Sequence, residues 1–209
     1  MPKPRDEHVL VFPAGLLQTI GYFQGLHLEI GKYLPAIESS AFFRARKLVE
    51  TDPLLKQLIP YVIITHLDSV LSYRRGARSS EDRLTGSRSI GIGGHISATD
   101  PTLFSSSYSE GMSRELREEV VIDSEYTIRP VAMLNDDSND VGKVHFGLIH
   151  VLGLKEPRVA GREQAIADLK FSPTDHLLNT IGEYENWSKI CIKALPVLLE
   201  SHDKQDQGA

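Results

Sequence analysis

A single cysteine, Cys191, stands in a chain of 209 residues. No intramolecular disulfide framework is therefore available, and a reducing compartment suits the chain. Basic charge is not in excess either. Lys and Arg number 23 against 28 Asp and Glu, for a net charge of -5, which argues against a general nucleic-acid binder or a membrane-surface protein. No apolar run is long enough to cross a bilayer, so no transmembrane helix is expected. The opening Met1-Pro-Lys-Pro-Arg-Asp-Glu7 lacks the apolar centre of a secretory signal. Internal repeats and low-complexity linkers are also missing. The expectation is a cytoplasmic protein held together by an ordinary core.

Composition supports that core. Hydrophobic residues make up 41% and charged residues 24% of the chain, as in globular proteins generally. The length suits one domain, or one domain with an extension. Val9–Phe12 reads as a strand. Gly15–Leu34 keeps no clean period, and Ala36–Glu50 reads as a helix with Phe42, Phe43, Ala45 and Leu48 as its buried stripe. Asp52-Pro53 is a helix-start signal for a segment through Leu54, Leu55, Leu58 and Ile59 that stops before Pro60. Tyr61–His66 and Val70–Arg74 look like a hairpin, and Ser89–Gly93 like a buried strand. Tyr126–Leu134 and Lys143–Leu154 are longer strands joined by the turn-rich Asn135–Gly142. A short strand at Leu169–Phe171, a helix opened by Ser172-Pro173-Thr174 and a helix over Trp187–Leu199 complete the pattern. Several strands are joined too tightly for parallel crossovers. The fold class expected is α/β, a mixed sheet covered by helices on both faces. Residues 1–60 form an N-terminal extension, 61–200 the main domain and 201–209 a polar tail.

The most informative stretch is Ser89-Ile-Gly-Ile-Gly-Gly-His95, followed after a polar loop by Arg114-Glu-Leu-Arg-Glu-Glu-Val-Val-Ile122. Glu115, Glu118 and Glu119 stand at i, i+3 and i+4 and so share one helical face. Like charges at these spacings cost roughly a few tenths of a kcal/mol each. A hard divalent cation turns that repulsion into binding, because such ions are held by carboxylate and carbonyl oxygens.

These residues resemble the Nudix box of the MutT-like hydrolase superfamily: Gly, five residues, Glu, seven residues, then Arg-Glu-aliphatic-any-Glu-Glu-any-Gly-aliphatic. Arg114, Glu115, Leu116, Glu118, Glu119 and Ile122 match the second half. The spacing from Gly94 to Arg114 is about six residues longer than the pattern's, and Val121 stands where the pattern has Gly. A β-branched residue does not easily take the left-handed conformation that ends a helix, so this helix must stop in another way. Glu110 can replace the displaced Glu as the ion-pair partner of Arg114. It equally completes a capping box with Ser107. The surplus residues, Ser97–Ser107, are expected to form a mobile flap anchored by Leu103 and Phe104. The likeness extends over roughly Tyr61–Leu199 and implies a Nudix-type α/β/α sandwich.

The resemblance implies Mg2+ or Mn2+ as cofactor, held by Glu115, Glu118, Glu119 and the Gly93 carbonyl. It places Glu115, Glu118 and Arg114 in the catalytic machinery, with Glu115 or Glu118 as general base. Glu163 and Asp168 are weaker candidates for a base on a separate loop. Arg74, in the pair Arg74-Arg75, and His95 are candidate substrate contacts; a solvated strand end and a structural hydrogen bond are the plainer readings of each. His66, His95, His145 and His150 lack a ligand spacing, and Asp136, Asp137 and Asp140 lack the Gly and final Glu of a calcium loop. Cys191 reads as core packing. The activity implied is metal-dependent hydrolysis of a diphosphate linkage, typically in a nucleoside diphosphate derivative. The alternative is a non-catalytic ligand-binding or regulatory module on the same fold. Leu16, Leu17, Ile20, Phe23 and Leu26, apolar without a period, suggest a homodimer formed partly through the first 60 residues.

Overall fold

The computed structural model describes residues 7–76, 86–98, 104–162 and 166–206, with side chains left aside at 104–107 and 203–206. In chain order the elements are β1 (His8–Pro13), α1 (Gly15–Ile20), β2 (Gly25–His27), α2 (Ile30–Ser40), β3 (Phe42–Ala45), α3 (Arg46–Val49) and β4 (Leu55–His66). Next come β5 (Ser69–Arg75), β6 (Arg88–Ser89), β7 (Gly91–Gly93), α4 (Phe104–Glu119), β8 (Val120–Ile122), β9 (Tyr126–Asn135) and α5 (Asp140–Lys143). The last are β10 (His145–Leu154), β11 (Val159–Gly161), β12 (Ile166–Pro173), α6 (Thr174–Asn179), a 3-10 turn (Ile181–Glu183) and α7 (Asn186–Asp206). The main sheet runs β12-β5-β4-β10-β9-β2, with β1 on β4, β3 on β1, β6 on β5 and β7 on β4; β11 and β8 pair separately. The α/β class with a large mixed sheet is thus the observed one.

Two compact units share these elements: Met1–Pro60, Gly93–Arg114 and Ala132–Leu148 in the first, and Tyr61–Ile92, Glu115–Val131 and Ile149–Ala209 in the second. In the first unit β1 is buried on both faces, as a continuous apolar run in a covered sheet should be. Leu10 and Phe12 join the main cluster with Leu17, Tyr33, Ile37 and Phe146, while Val9 and Val11 pack against Val49 and Leu55. Phe12 meets Phe146 edge-on, with ring centroids 5.2 Å apart. Leu16, Ile20 and Phe23 pack against the same cluster, so the early apolar residues cover a flank within their own unit. Lys56 is nearly enclosed; its Nζ donates to Asp137 Oδ1 at 2.5 Å and to the Gly142 carbonyl at 2.9 Å. Tyr22 Oη donates to Asp137 Oδ2 at 2.9 Å and Gln24 Nε2 to Asp136 Oδ1 at 2.8 Å. These bonds fasten the start of the chain to the loop after β9. Burial lowers the Lys56 pKa. For Asp137, burial pushes the carboxyl up, but bonds from Lys56 and Tyr22 outweigh it and leave it below its ordinary value.

In the second unit β4 and β5 form the expected hairpin, with Thr65 opposite Val70 and His66 opposite Ser69. The α7 helix buries Cys191, Ile192, Leu195 and Leu198 on one stripe, and burial pushes the Cys191 thiol well up. Its N-terminus is capped by Glu185, which accepts from the backbone amides of Trp187 (2.8 Å) and Ser188 (2.9 Å). The same carboxylate accepts from Tyr61 Oη at 2.8 Å. The Tyr61 ring lies so close over Gly91 that a Cβ there would fall 2.0 Å from a ring carbon.

Three local expectations fail. Ala36–Glu50 is not one helix: α2 ends at Ser40, and Phe42–Ala45 pairs with β1. The Ser39 and Ser40 hydroxyls both donate to the Ala36 carbonyl, a local bond that competes with helix continuation. Asp52-Pro53 opens no helix. Asp52 Oδ1 instead accepts from the Leu54 amide at 3.0 Å, an Asx turn, and Leu55–Ile59 enters β4, where burial on both faces erases the period. Ser107 lies inside α4, which begins at Phe104, so no capping box forms there. Ser97 is bridged to Val9, residues 104–107 are helical, and residues 99–103 of the expected flap lie outside the described residues.

Gly91→Ala should lower stability by about 1–3 kcal/mol, the usual cost of overpacking, and thermal denaturation will show it as a reduced Tm. The depressed Asp137 carboxyl stabilises the fold above its unfolded pKa of about 4 and loses that contribution as pH falls through its folded value. Asp137→Asn should therefore be less stable at neutral pH and show a shallower loss in acid; parallel acid titrations followed by circular dichroism check the difference.

Candidate functional site

Helix α4 owes its placement to an i, i+4 apolar stripe. Tyr108 and Met112 join the first unit's core, and Leu116 is buried one turn further on. That stripe fixes the rotation of the helix and hence the directions of its charged residues. Glu115, adjacent to Leu116, is buried at 5% exposure. Glu118 is exposed and Glu119 intermediate. All three lie on the last turn and a half of α4, in the second unit. A helix C-terminus carries partial negative charge, so carboxylates there gain from a nearby cation.

The helix ends as the Val121 substitution requires. With no left-handed residue, the chain passes straight from Glu119 into β8, where Val121 pairs with Ala160 of β11. The Arg162 amide takes the Glu119 carbonyl at 2.8 Å, so one of the helix's last open acceptors is met by a neighbouring strand.

In the first unit, Gly93 ends β7 against β4. A Cβ at Gly93 would lie 2.4 Å from the Pro60 carbonyl oxygen, so only glycine allows this approach. The Arg114 Nη2 donates to the His95 carbonyl at 2.8 Å, bracing the turn that follows the glycine pair. His95 is buried, its ring 5.6 Å from that of His145.

The remaining candidates separate clearly. Arg74 is exposed; it donates to the Gly86 carbonyl at 2.9 Å and lies 3.8 Å from Glu183. Asp168 sits at a register shift in β12 with φ 48 and is ion-paired with the buried Arg88, which holds its carboxyl below the ordinary value. A carboxylate so engaged is a poor proton acceptor. Glu163 lies outside the described residues. Within the pair Arg74-Arg75, a strand's period of two puts Arg75 and the buried Tyr73 on one face of β5 and Arg74 on the other.

The donors that the end of α4 offers an ion are oxygens, the carboxylates of Glu115, Glu118 and Glu119. Hard Mg2+ or Mn2+ fits such a set better than a soft metal. Among the described residues, no three His, Cys, Asp or Glu side chains are drawn close enough to hold an ion. An ion would have to gather the glutamates by rotamer change, which their flexible side chains on a shared face permit.

No family model matches this chain. A curated relative, Protein YmaB of Bacillus subtilis (strain 168), is 34% identical over 207 residues, covering 91% of this chain and 98% of YmaB. Among solved structures, the crystal structure of Tm1382, a proposed Nudix hydrolase, superposes with a TM-score of 0.76 at 28% identity, covering 92% of this chain and 99% of Tm1382. DR0079 from Deinococcus radiodurans shares the fold at a TM-score of 0.52 and 17% identity, over 74% of this chain and 90% of its own.

Replacing Arg114 by Met removes the charged donor to the His95 carbonyl. The expected cost is about 1–3 kcal/mol, the worth of a hydrogen bond to a charged group, with faster hydrogen exchange at the Gly94 and His95 amides. Unchanged exchange there would mean that the brace is dispensable.

Proposed function

This chain belongs to the Nudix superfamily, in one family with YmaB, and on that premise we propose that it is a metal-dependent hydrolase of a diphosphate linkage. The substrate class proposed is a nucleoside diphosphate derivative. The observation that carries the reading is the set of Glu115, Glu118 and Glu119 at i, i+3 and i+4 on the last turns of α4, a spacing that costs repulsion unless a cation offsets it.

Glu115, Glu118 and Glu119 would hold the ion. A bound Mg2+ or Mn2+ supplies neutralisation of the diphosphate oxygens, stabilisation of the leaving charge and a lower pKa for the attacking water. Glu118, the most exposed of the three, is placed to accept that water's proton. The burial of Glu115 suits a fixed ligand better than a mobile base. Arg114 acts as a positioning residue through its bond to the His95 carbonyl. Asp168 has no part in proton transfer, because Arg88 already engages it. A cytoplasmic setting fits a chain whose single cysteine is buried and free. The assembly proposed is a homodimer that uses apolar side chains still exposed in the first 60 residues, such as Leu48 and Leu54.

Two measurements test this reading. A screen with Mg2+ and Mn2+ over nucleotide sugars, dinucleoside polyphosphates, ADP-ribose, NADH, coenzyme A and oxidised nucleotides should release phosphate or nucleotide from at least one. Silence across the whole panel, with ligand binding intact, would instead favour a binding module. Changing Glu118 and Glu119 together to Gln should abolish Mg2+ binding in calorimetry while leaving Tm unchanged or slightly raised, since repulsion is relieved. Light scattering that holds at one-chain mass across micromolar concentrations would remove the dimer.

A further inference from the structure

Arg162 follows directly on β11, and its backbone is held from two sides within the second unit. Its amide donates to the Glu119 carbonyl at 2.8 Å. The preceding Gly161 pairs with Val120 and lies against Ile166 of β12, where a Cβ would stand 3.1 Å from the isoleucine Cγ2. The bond to Glu119 continues the β11–β8 ladder one step beyond the Gly161–Val120 pair, so Arg162 stands opposite the last residue of α4.

Opposed residues of an antiparallel pair carry their side chains on one face, with Cβ atoms about 4.5–5.5 Å apart. The far end of this ladder shows the rule at work. Arg158 stands opposite Asp123, whose amide donates to the Arg158 carbonyl at 3.0 Å, and the Arg158 Nε lies 3.3 Å from Asp123 Oδ2. Arg162 and Glu119 keep the same parity along both segments. Glu119 is one of the three carboxylates assigned above to the ion. Yet among the described residues Arg162 makes no ion pair and no side-chain hydrogen bond, and it is exposed. A permanently charged donor is thus tied by its own backbone to the end of the carboxylate set, uncommitted and open to solution.

We infer that Arg162 is a substrate-binding residue, donating to a phosphate oxygen of the diphosphate group. The inference rests on the hydrolase reading above and adds to it the protein's own cation for the anionic substrate. The chemistry suits the residue. Guanidinium presents a planar fork of donors that matches phosphate oxygens and keeps its charge at every physiological pH. A pair with Glu119 in open water would gain little, and Glu119 engaged by an ion leaves the arginine to the anion.

Calorimetry with inorganic pyrophosphate on the full chain, with and without Mg2+, compares wild type with R162Q, R162K and R158Q. R162Q should bind pyrophosphate about tenfold or more weakly, the loss of one charge-assisted hydrogen bond. Its Tm should hardly move, because the side chain is exposed. R162K, which keeps the charge without the fork, should lose less. R158Q removes the same charge from the same ladder, but Asp123 and Glu156 already hold that guanidinium, so pyrophosphate affinity should stay at the wild-type value. Equal losses in R162Q and R158Q would mean a general field of charge and overturn the inference. A lowered Tm with pyrophosphate affinity intact, the mark of a purely structural role, overturns it too, as does a wild type that binds no pyrophosphate in either condition. Wild-type binding of Mg2+ with unchanged pyrophosphate affinity in R162Q removes Arg162 and leaves the hydrolase reading untouched. A wild type that fails to bind Mg2+ while R162Q still loses pyrophosphate affinity would sink the hydrolase reading and leave the role of Arg162 standing.

Discussion

The carboxylate of Glu185 is shared among a phenol, a serine hydroxyl and two backbone amides of α7, all within the second unit. A buried carboxylate is tolerable only when it is saturated in this way. What it organises follows in sequence. Held by Glu185, Tyr61 lays its ring over Gly91, where no side chain would fit. Tyr73 and Ser89 then take the Gly91 carbonyl, and the Glu185 amide takes that of Arg88. The strand from Arg88 to Gly91 is thereby located by polar bonds inside a dry region, where each is worth more than at a surface.

Helix α4 shows how a packing requirement becomes a chemical one. Tyr108, Met112 and Leu116 choose the buried side, and the carboxylates take whatever exposure that choice leaves. Glu115 comes out buried and Glu118 exposed. Two residues of identical chemistry are in this way given different environments, which is how one ligand type can serve two roles in a site.

Much of this was readable in the residues before any coordinates. The Tyr61–Arg74 hairpin, the strands on either side of Asn135–Gly142, the helix bearing the three glutamates and the final helix all appear close to their expected places. Each has a strong period or a strong turn composition. The failures have separate physical causes. Leu55–Ile59 is buried on both faces and carries no period, so the Asp52-Pro53 signal was read as a helix start when Asp52 makes an Asx turn. Ser39 and Ser40 interrupt a helix through hydroxyl bonds that composition alone does not reveal. Glu185 could not have been singled out, since Tyr61 and Ser89, which it joins to the start of α7, lie about a hundred or more positions away.

The junction of α4 with β8 has a consequence for how such chains can vary. Glu119 is helical and Val120 already a strand residue, with Val121 facing Ala160. No slack separates the two. Adding or deleting a single residue there would shift β8 by one position and exchange its two faces, carrying the buried Val120 outward. Inheritance of insertions and deletions should therefore be lopsided around this helix. Length polymorphism can accumulate between Gly94 and the start of α4, within the span where this chain already departs from the box spacing, and is barred downstream of Glu119.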